Sequence, residues 1–346
     1  MNDITAYAEK AQDYLLNGTL TVQNHVIPMR YVTGALGGLL GLYGVKRYFN
    51  GGWDYDKCDL EGKVAIVTGA NAGIGKATAM DLAKRHATVI IACRDSKKSH
   101  QALAEIQKVS KNTQVFLEPL DLSDLASVRA FVDRFLARGL PLHILINNAA
   151  VLVPERKSTK DGFEMQFGTN HLGHFLLTEL LLPTLEKSAP SRVVNVSSGA
   201  FLHGTMNFDD LHAETKYGAW TAYSQSKFAN VLYANYLDRK HRSKGIIANS
   251  CHPGAVRTTL GRYLAEKAWW CLPILALLYP LYYLTFKNAE QGAQTTLYLA
   301  ANRSVTTGGE YWADCKMIKN AHKEEYNTEM QDQLYEISRN AVQEFL

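Results

Sequence analysis

The chain has 346 residues, 47% hydrophobic and 20% charged, which is room for one large domain or two and too apolar for a disordered protein. Thirty-seven Lys and Arg face 33 Asp and Glu, a net charge of +4. So mild a balance excludes the concentrated basic stripe of a nucleic-acid-binding protein, and no nucleic-acid partner is expected. The five cysteines (Cys58, Cys93, Cys251, Cys271 and Cys315) form no CxxC and show no zinc spacing. They read as reduced, mostly buried thiols, and no metal is expected.

Residues 1–57 read as an N-terminal extension. Asp3, Glu9 and Asp13 set it apart from an acid-poor transit peptide. Its uncharged run Tyr31–Val45 is bracketed by Arg30 and by Lys46-Arg47 and reads as a membrane helix over about 31–47. Fifteen helical residues span ~22 Å, short of a ~30 Å hydrocarbon core, so the expectation is insertion or tight association. Gly34-x-x-x-Gly38 and Gly37-x-x-x-Gly41 suit close helix contact in lipid.

Residues 58–346 read as the catalytic domain, where apolar strand-like runs alternate with helical stretches. The expected strands are Lys63–Thr68, Ala87–Cys93, Gln114–Asp121, Leu142–Asn147, Arg192–Ser197 and Ile246–His252, with a short last one in GEYWAD. The expected helices are Gly75–His86, Ser96–Ser110, one to Arg138 capped by Ser123, Gly162–Lys187, about Trp220–Arg242 and Glu290–Ala301. Wholly apolar strands between helices predict a parallel sheet covered on both faces. Right-handed crossovers make it a doubly wound, Rossmann-type α/β fold. Nineteen uncharged residues, 268–286, interrupt the pattern. Pro273 and Pro280 would break or kink a helix there, so the segment reads as an apolar lid dipping into an interface, not a span.

The first strand runs into Thr68-Gly69-Ala70-Asn71-Ala72-Gly73-Ile74-Gly75 and then a helix. A pyrophosphate must approach backbone N–H groups at a helix N-terminus, and side chains there would obstruct it. Where the second strand ends, an NAD-binding chain carries an acid for the ribose 2′-hydroxyl. Here Cys93 is followed by Arg94, so a 2′-phosphate meets a guanidinium and the expected cofactor is NADP(H) rather than NAD(H). Tyr223-Ser-Gln-Ser-Lys227 puts a phenol and an ammonium on one helix face. A free phenol has a pKa of ~10 and is a poor base, and a neighbouring cation is expected to lower it. The same YxxxK pattern occurs at Tyr236, Tyr263 and Tyr283. Only Tyr223 follows a strand ending in Ser197-Ser198 and precedes His252-Pro253-Gly254, so the others read as structural. His171 and His174 lack a third ligand and also read as structural, and Cys251-His252 reads as packing at a strand end.

With TGANAGIGKATA, IIACRD, LINNAAV, GFEMQFGTNHLGHFLLT, RVVNVSS, AYSQSKFANVLY and HPGAVRT in view, the chain resembles the short-chain dehydrogenase/reductase superfamily. Within it, the chain looks most like the retinol dehydrogenase and WW-domain-oxidoreductase group. The resemblance implies a catalytic set of Asn170, Ser198, Tyr223 and Lys227, with Ser198 holding the substrate oxygen. Asn170 would bend its helix and anchor a water in a proton relay through Lys227, which also holds the nicotinamide ribose. Asp121 would sit by the adenine, and Asn147 and Ala149 along the cofactor. Pro253, Gly254, Val256 and Thr258 would pack on the nicotinamide. Ala150 stands where most members have Gly. The implied partners are a lipophilic small-molecule substrate (retinoid, steroid, polyisoprenoid or fatty aldehyde) and membrane lipid of the endoplasmic reticulum or mitochondrial inner membrane. A second copy could dock on the helices from Gly162 and Trp220. The alternative is an accessory subunit of a membrane complex that keeps the fold and bound NADP(H).

Overall fold

Each apolar run becomes a strand because helices cover it from both sides. The computed structural model describes residues 2–22, 25–257 and 272–346. The chain divides into a larger unit, Gly51–Leu277 with Phe286–Leu346, and a smaller one, Met1–Asn50 with Leu278–Thr285.

The larger unit holds β1 (Val64–Thr68), β2 (Thr88–Cys93), β3 (Val115–Pro119), β4 (Ile144–Asn147), β5 (Ser191–Val196), β6 (Ile246–His252), β7 (Tyr311–Ala313) and β8 (Lys316–Met317). They form one sheet in the order β3-β2-β1-β4-β5-β6-β7-β8, parallel except for the β7–β8 pair. Strand order reverses between β1 and β4, which opens a crevice at the carboxyl ends of those strands. Alternate residues feed two cores. Ile66, Ile90, Leu145 and Val193 pack with Phe131, Phe135, Phe175 and Phe228 of α3 (Leu125–Ala137), α4 (Gly173–Lys187) and α5 (Ala219–His241). Val67, Ile91, Ile146 and Val194 pack with Leu82, Ile106 and Leu297 of α1 (Gly73–Lys84), α2 (Lys97–Ser110) and α6 (Ala289–Ala301). The expected doubly wound sheet is therefore present.

Three local details differ from expectation. Asp124, not Ser123, caps α3 by accepting the Ser127 N–H at 3.2 Å. Ser123 is occupied one turn earlier, its hydroxyl donating to Asp121 at 2.7 Å. The helix expected from Gly162 begins only at Met165 and passes through a π turn, Gly168–Leu172, before α4. A further helix, α7 (Thr328–Ala341), lies on α5 and α4. Tyr335 of α7 stacks on Tyr236 with ring centroids 4.1 Å apart and donates to Glu179 at 3.1 Å. Every residue of α5 from Ala222 to Asp238 is buried.

The segment just after Asn50 belongs to this unit, ahead of the expected boundary at residue 58. Asp54 is fully buried, pairs with Arg85 at 2.8 Å and accepts the Asn302 amide at 2.7 Å.

The smaller unit holds the helix Asn2–Asn17, an antiparallel ladder of Thr19–Val22 with His25–Pro28, and the helix Met29–Asn50. The expected segment 31–47 lies inside that last helix, none of whose residues is buried. Leu36, Leu39, Leu40, Leu42 and Tyr43 all stand exposed. Among the described residues no helix is long and apolar enough to cross a membrane. The charges of Arg30, Lys46 and Arg47 close off the apolar run before it reaches that length. Of the expected lid, residues 268–271 fall outside the described set. The helix Leu272–Thr285 runs through Pro280 without stopping. Within the smaller unit, Lys46 Nζ donates to the Tyr283 carbonyl at 2.8 Å.

Candidate active site

β1 delivers its chain into the crevice through a turn that demands glycine. Gly69 and Gly73 sit at φ +67° and +53°, in the left-handed region. A Cβ on Gly75 would lie 2.5 Å from Asn148 Nδ2 and 2.6 Å from the Gly69 carbonyl. The α1 N-cap is Ala72, in extended conformation and with no side-chain cap, so the first N–H groups of α1 face the turn without a competing side chain. Asn71 and Ile74 complete this turn, both half-buried.

Thr68 has an internal role. It is fully buried, and its hydroxyl accepts the backbone N–H of Asn148 at 2.8 Å and of Ala149 at 3.0 Å. That hydroxyl lies 2.8 Å from His174 Nε2, and His174 Nδ1 lies 3.0 Å from the Asn170 carbonyl. A carbonyl can only accept, so Nδ1 carries the proton and Nε2 accepts from Thr68. Burial pushes His174 down to about 3, which keeps the ring neutral in this role. The Asn147 amide is likewise committed, donating to Thr178 at 3.0 Å and Asn195 at 2.9 Å, so it holds β4 to β5 rather than facing the crevice. Asp121 accepts from Ser123, and Arg94 at the end of β2 is exposed.

The residues expected to do acid–base work meet where β5 ends. Ser197 is buried and its hydroxyl donates to the Lys227 carbonyl at 2.7 Å, which leaves Ser198 as the serine facing the site. Ser198 caps the short turn Gly199–His203, accepting the Ala200 N–H at 3.2 Å. Tyr223 and Lys227 stand one turn apart on α5, Lys227 Nζ lying 5.7 Å from the Tyr223 ring centroid. Nζ also donates to the Val196 carbonyl at 2.9 Å. Burial pushes the Tyr223 phenol up to about 12, and a hydrogen bond with Ser198 only partly offsets it. The phenol thus stands above its ordinary value, where an acidified one is expected, and burial is the first cause. Burial also pushes Lys227 down to about 8. Asn170 sits in the π turn, which is the expected bend. Its side chain accepts the Val151 N–H at 2.8 Å and donates to the Val151 carbonyl and to Ser226, each at 3.0 Å. It thereby fastens the loop after β4 to the helix that carries Tyr223.

On the far side, Pro253 is buried and Gly254 sits at φ +89°, with Lys287 Cε only 2.7 Å from where its Cβ would be. Val256 bridges to Lys287, and Lys287 pairs with Asp314. A Cβ on Gly292 would meet Val256 at 2.7 Å and Ile74 at 3.2 Å, so α6 reaches both ends of the crevice. Thr258 and Tyr263 lie outside the described residues. Tyr236 stacks on Tyr335, as suits a structural tyrosine, and the Tyr283 ring lies 5.3 Å from Lys46 Nζ. Sequence reasoning missed Lys287, Gly292 and the bridging role of His174. Only His174 carried a signal, its spacing of four from Asn170. Among the described residues no cluster of His, Cys, Asp and Glu could hold a metal.

Comparison with known proteins agrees with this geometry. The short chain dehydrogenase family model matches residues 63–269. Retinol dehydrogenase 12 of Mus musculus is 46% identical over 79% of this chain and 84% of its own. Retinol dehydrogenase 11 of the same organism is 45% identical over the same shares. A crystal structure of an uncharacterised protein from Mycobacterium paratuberculosis superposes with a TM-score of 0.68 at 34% identity, covering 85% of this chain and 98% of that one. The chain therefore belongs to the short chain dehydrogenase family and is an NAD(P)-dependent oxidoreductase.

Proposed function

We propose that the enzyme uses NADP(H) to interconvert a lipophilic alcohol and its aldehyde or ketone, with a retinoid as the first candidate and carbonyl reduction as the favoured direction. The observation that carries this reading is the cluster of Ser198, Tyr223 and Lys227 at the carboxyl edge of the sheet. The bound cofactor supplies the hydride. With its pKa raised to about 12, Tyr223 is protonated near neutrality and suits donation to a carbonyl oxygen held by Ser198. Lys227 has three N–H donors and gives one to Val196, leaving two for ribose hydroxyls. Gly69, Asn71, Gly73, Ile74 and Gly75 would cradle the pyrophosphate, while Asp121 and Ala149 would follow the adenosine half. Pro253, Gly254, Val256 and Thr258 would back the nicotinamide. Arg94 supports the choice of NADP(H), as no carboxylate stands directly at the end of β2 to repel a 2′-phosphate.

The relatives' names support a retinoid, and so does Trp220, whose ring is 57% exposed and 5.9 Å from that of Tyr223. The exposed leucines of Met29–Asn50 support association with a membrane surface, of the endoplasmic reticulum or the mitochondrial inner membrane. The test is a panel of lipophilic carbonyls, retinal included, on detergent-solubilised protein with NADPH and with NADH. A higher kcat/KM for retinal with NADPH is expected. Equal or NADH-favouring values would overturn the cofactor choice, and indifference to retinal would overturn the substrate.

A further inference from the structure

We infer that His252 is a positioning residue for Ser198, acting through the Gly199 amide; this rests on the reading of Ser198 as the holder of the substrate oxygen. β5 and β6 pair as far as Val196 and Cys251, and the Ser197 N–H still reaches the Cys251 carbonyl at 2.8 Å. Beyond that point the ladder ends, and the peptide that follows Ser198 has no strand beside it. His252, the last residue of β6, supplies the missing acceptor, its Nδ1 taking the Gly199 N–H at 3.0 Å. The imidazole also packs close to the Gly199 α-carbon. A Cβ there would meet Nε2 at 3.4 Å and Cδ2 and Cε1 at 3.7 Å.

This hydrogen bond acts on the serine through covalent geometry. The Gly199 N–H belongs to the planar peptide unit joined to the Ser198 α-carbon, so fixing it fixes ψ of Ser198, here 156°. The direction of the Cα–Cβ bond that carries Oγ follows. Alternation along β6 makes this possible. Cys251 is wholly buried beside Thr296 on α6, so its neighbour His252 projects to the opposite face, where Ser198 and α5 lie. The charged groups around the imidazole are Lys287 and Asp314, and burial together with Lys287 pushes it down to about 4. A neutral ring offering a lone pair at Nδ1 carries its proton on Nε2, so the acceptor persists across the neutral range.

The test compares His252→Leu, which removes the acceptor, with His252→Asn, whose Oδ1 takes the place of Nδ1. His252→Gln moves the acceptor to the far side of the ring and keeps polarity, which separates position from folding. Each is assayed for kcat and KM with NADPH and a lipophilic aldehyde, and for NADPH affinity by cofactor fluorescence. Ser198→Ala and the His252→Leu/Ser198→Ala double variant run beside them. The leucine and glutamine variants are expected to lose about tenfold or more in kcat with NADPH affinity within about twofold, and asparagine to recover to within about threefold. In the double variant the two losses are expected not to add, because both act on one hydroxyl. Full kcat in His252→Leu, an asparagine variant as poor as leucine, or additive losses would overturn the inference alone. Full turnover in Ser198→Ala would instead overturn the reading of the site, and the inference with it.

Discussion

Tyr223 shows how far a residue's surroundings govern its chemistry. At 4% exposure the phenolate form is costly, and burial raises the phenol above its ordinary value. A protonated phenol donates, so Tyr223→Phe is expected to lower kcat for carbonyl reduction by about 10²–10⁴-fold. NADPH affinity, read by fluorescence, is expected to hold. Lys227 sets the alkaline side. Its ammonium is lost as pH rises through about 8, so kcat/KM should fall above that value. Lys227→Arg, slower in absolute terms, should show no such limb, because guanidinium stays charged. Pairing Tyr223 with Lys227 was legible in the sequence, since four-residue spacing on a helix is a local rule. The direction of the phenol's shift was not, because it depends on residues as remote as Leu152 and Ala200, which pack beside it.

Among the elements, α7 changes the most. The resemblance marks the helices from Gly162 and Trp220 as a docking surface for a second copy, yet α7 already lies there. Tyr335 covers Tyr236, and Ser338 meets His171 at 2.8 Å. The expected outcome is a single-chain particle in detergent by light scattering. Removing residues 328–346 would expose Leu334 and the α5 face together, and should give larger assemblies or insoluble protein. The strands could be read because both faces of β1, β2 and β4 are apolar and a buried parallel strand has few alternatives. α7 went unread although Met330, Leu334, Ile337 and Ala341 keep helical spacing, and its partner Arg239 lies far upstream in the chain. The α3 cap was displaced by one position for a local reason. Ser123 and Asp124 are both good caps, and Ser123 was drawn away by Asp121.

At the scale of the whole molecule, neutral histidines tie stability to pH. His171 and His174 are buried, with burial pushing them from 6.5 down to about 4 and about 3. Below 6.5 the unfolded chain takes up protons that the folded chain refuses, so stability falls as pH falls toward 4. Each should cost roughly 2 kcal/mol between about pH 7 and 5. Urea melts at the two pH values measure this, and His171→Gln should flatten the dependence by about one such share. The exposed leucines of Met29–Asn50 act at the same scale. The full chain should float with anionic phospholipid vesicles, and Leu39→Asp with Leu40→Asp should leave it in the pellet fraction.

The burial of Asp54 dictates where the chain can be cut. Trimming to residue 58 would discard the anion that neutralises Arg85, whose side chain is 4% exposed, although Asp81 would still touch it at 2.6 Å. Breaking a buried pair by removing one partner costs about 3–5 kcal/mol, and the remaining Asp81 contact should keep the loss toward the lower end. A soluble version freed of its greasy leader should therefore open at Gly51, and one opening seven residues later should melt early or precipitate.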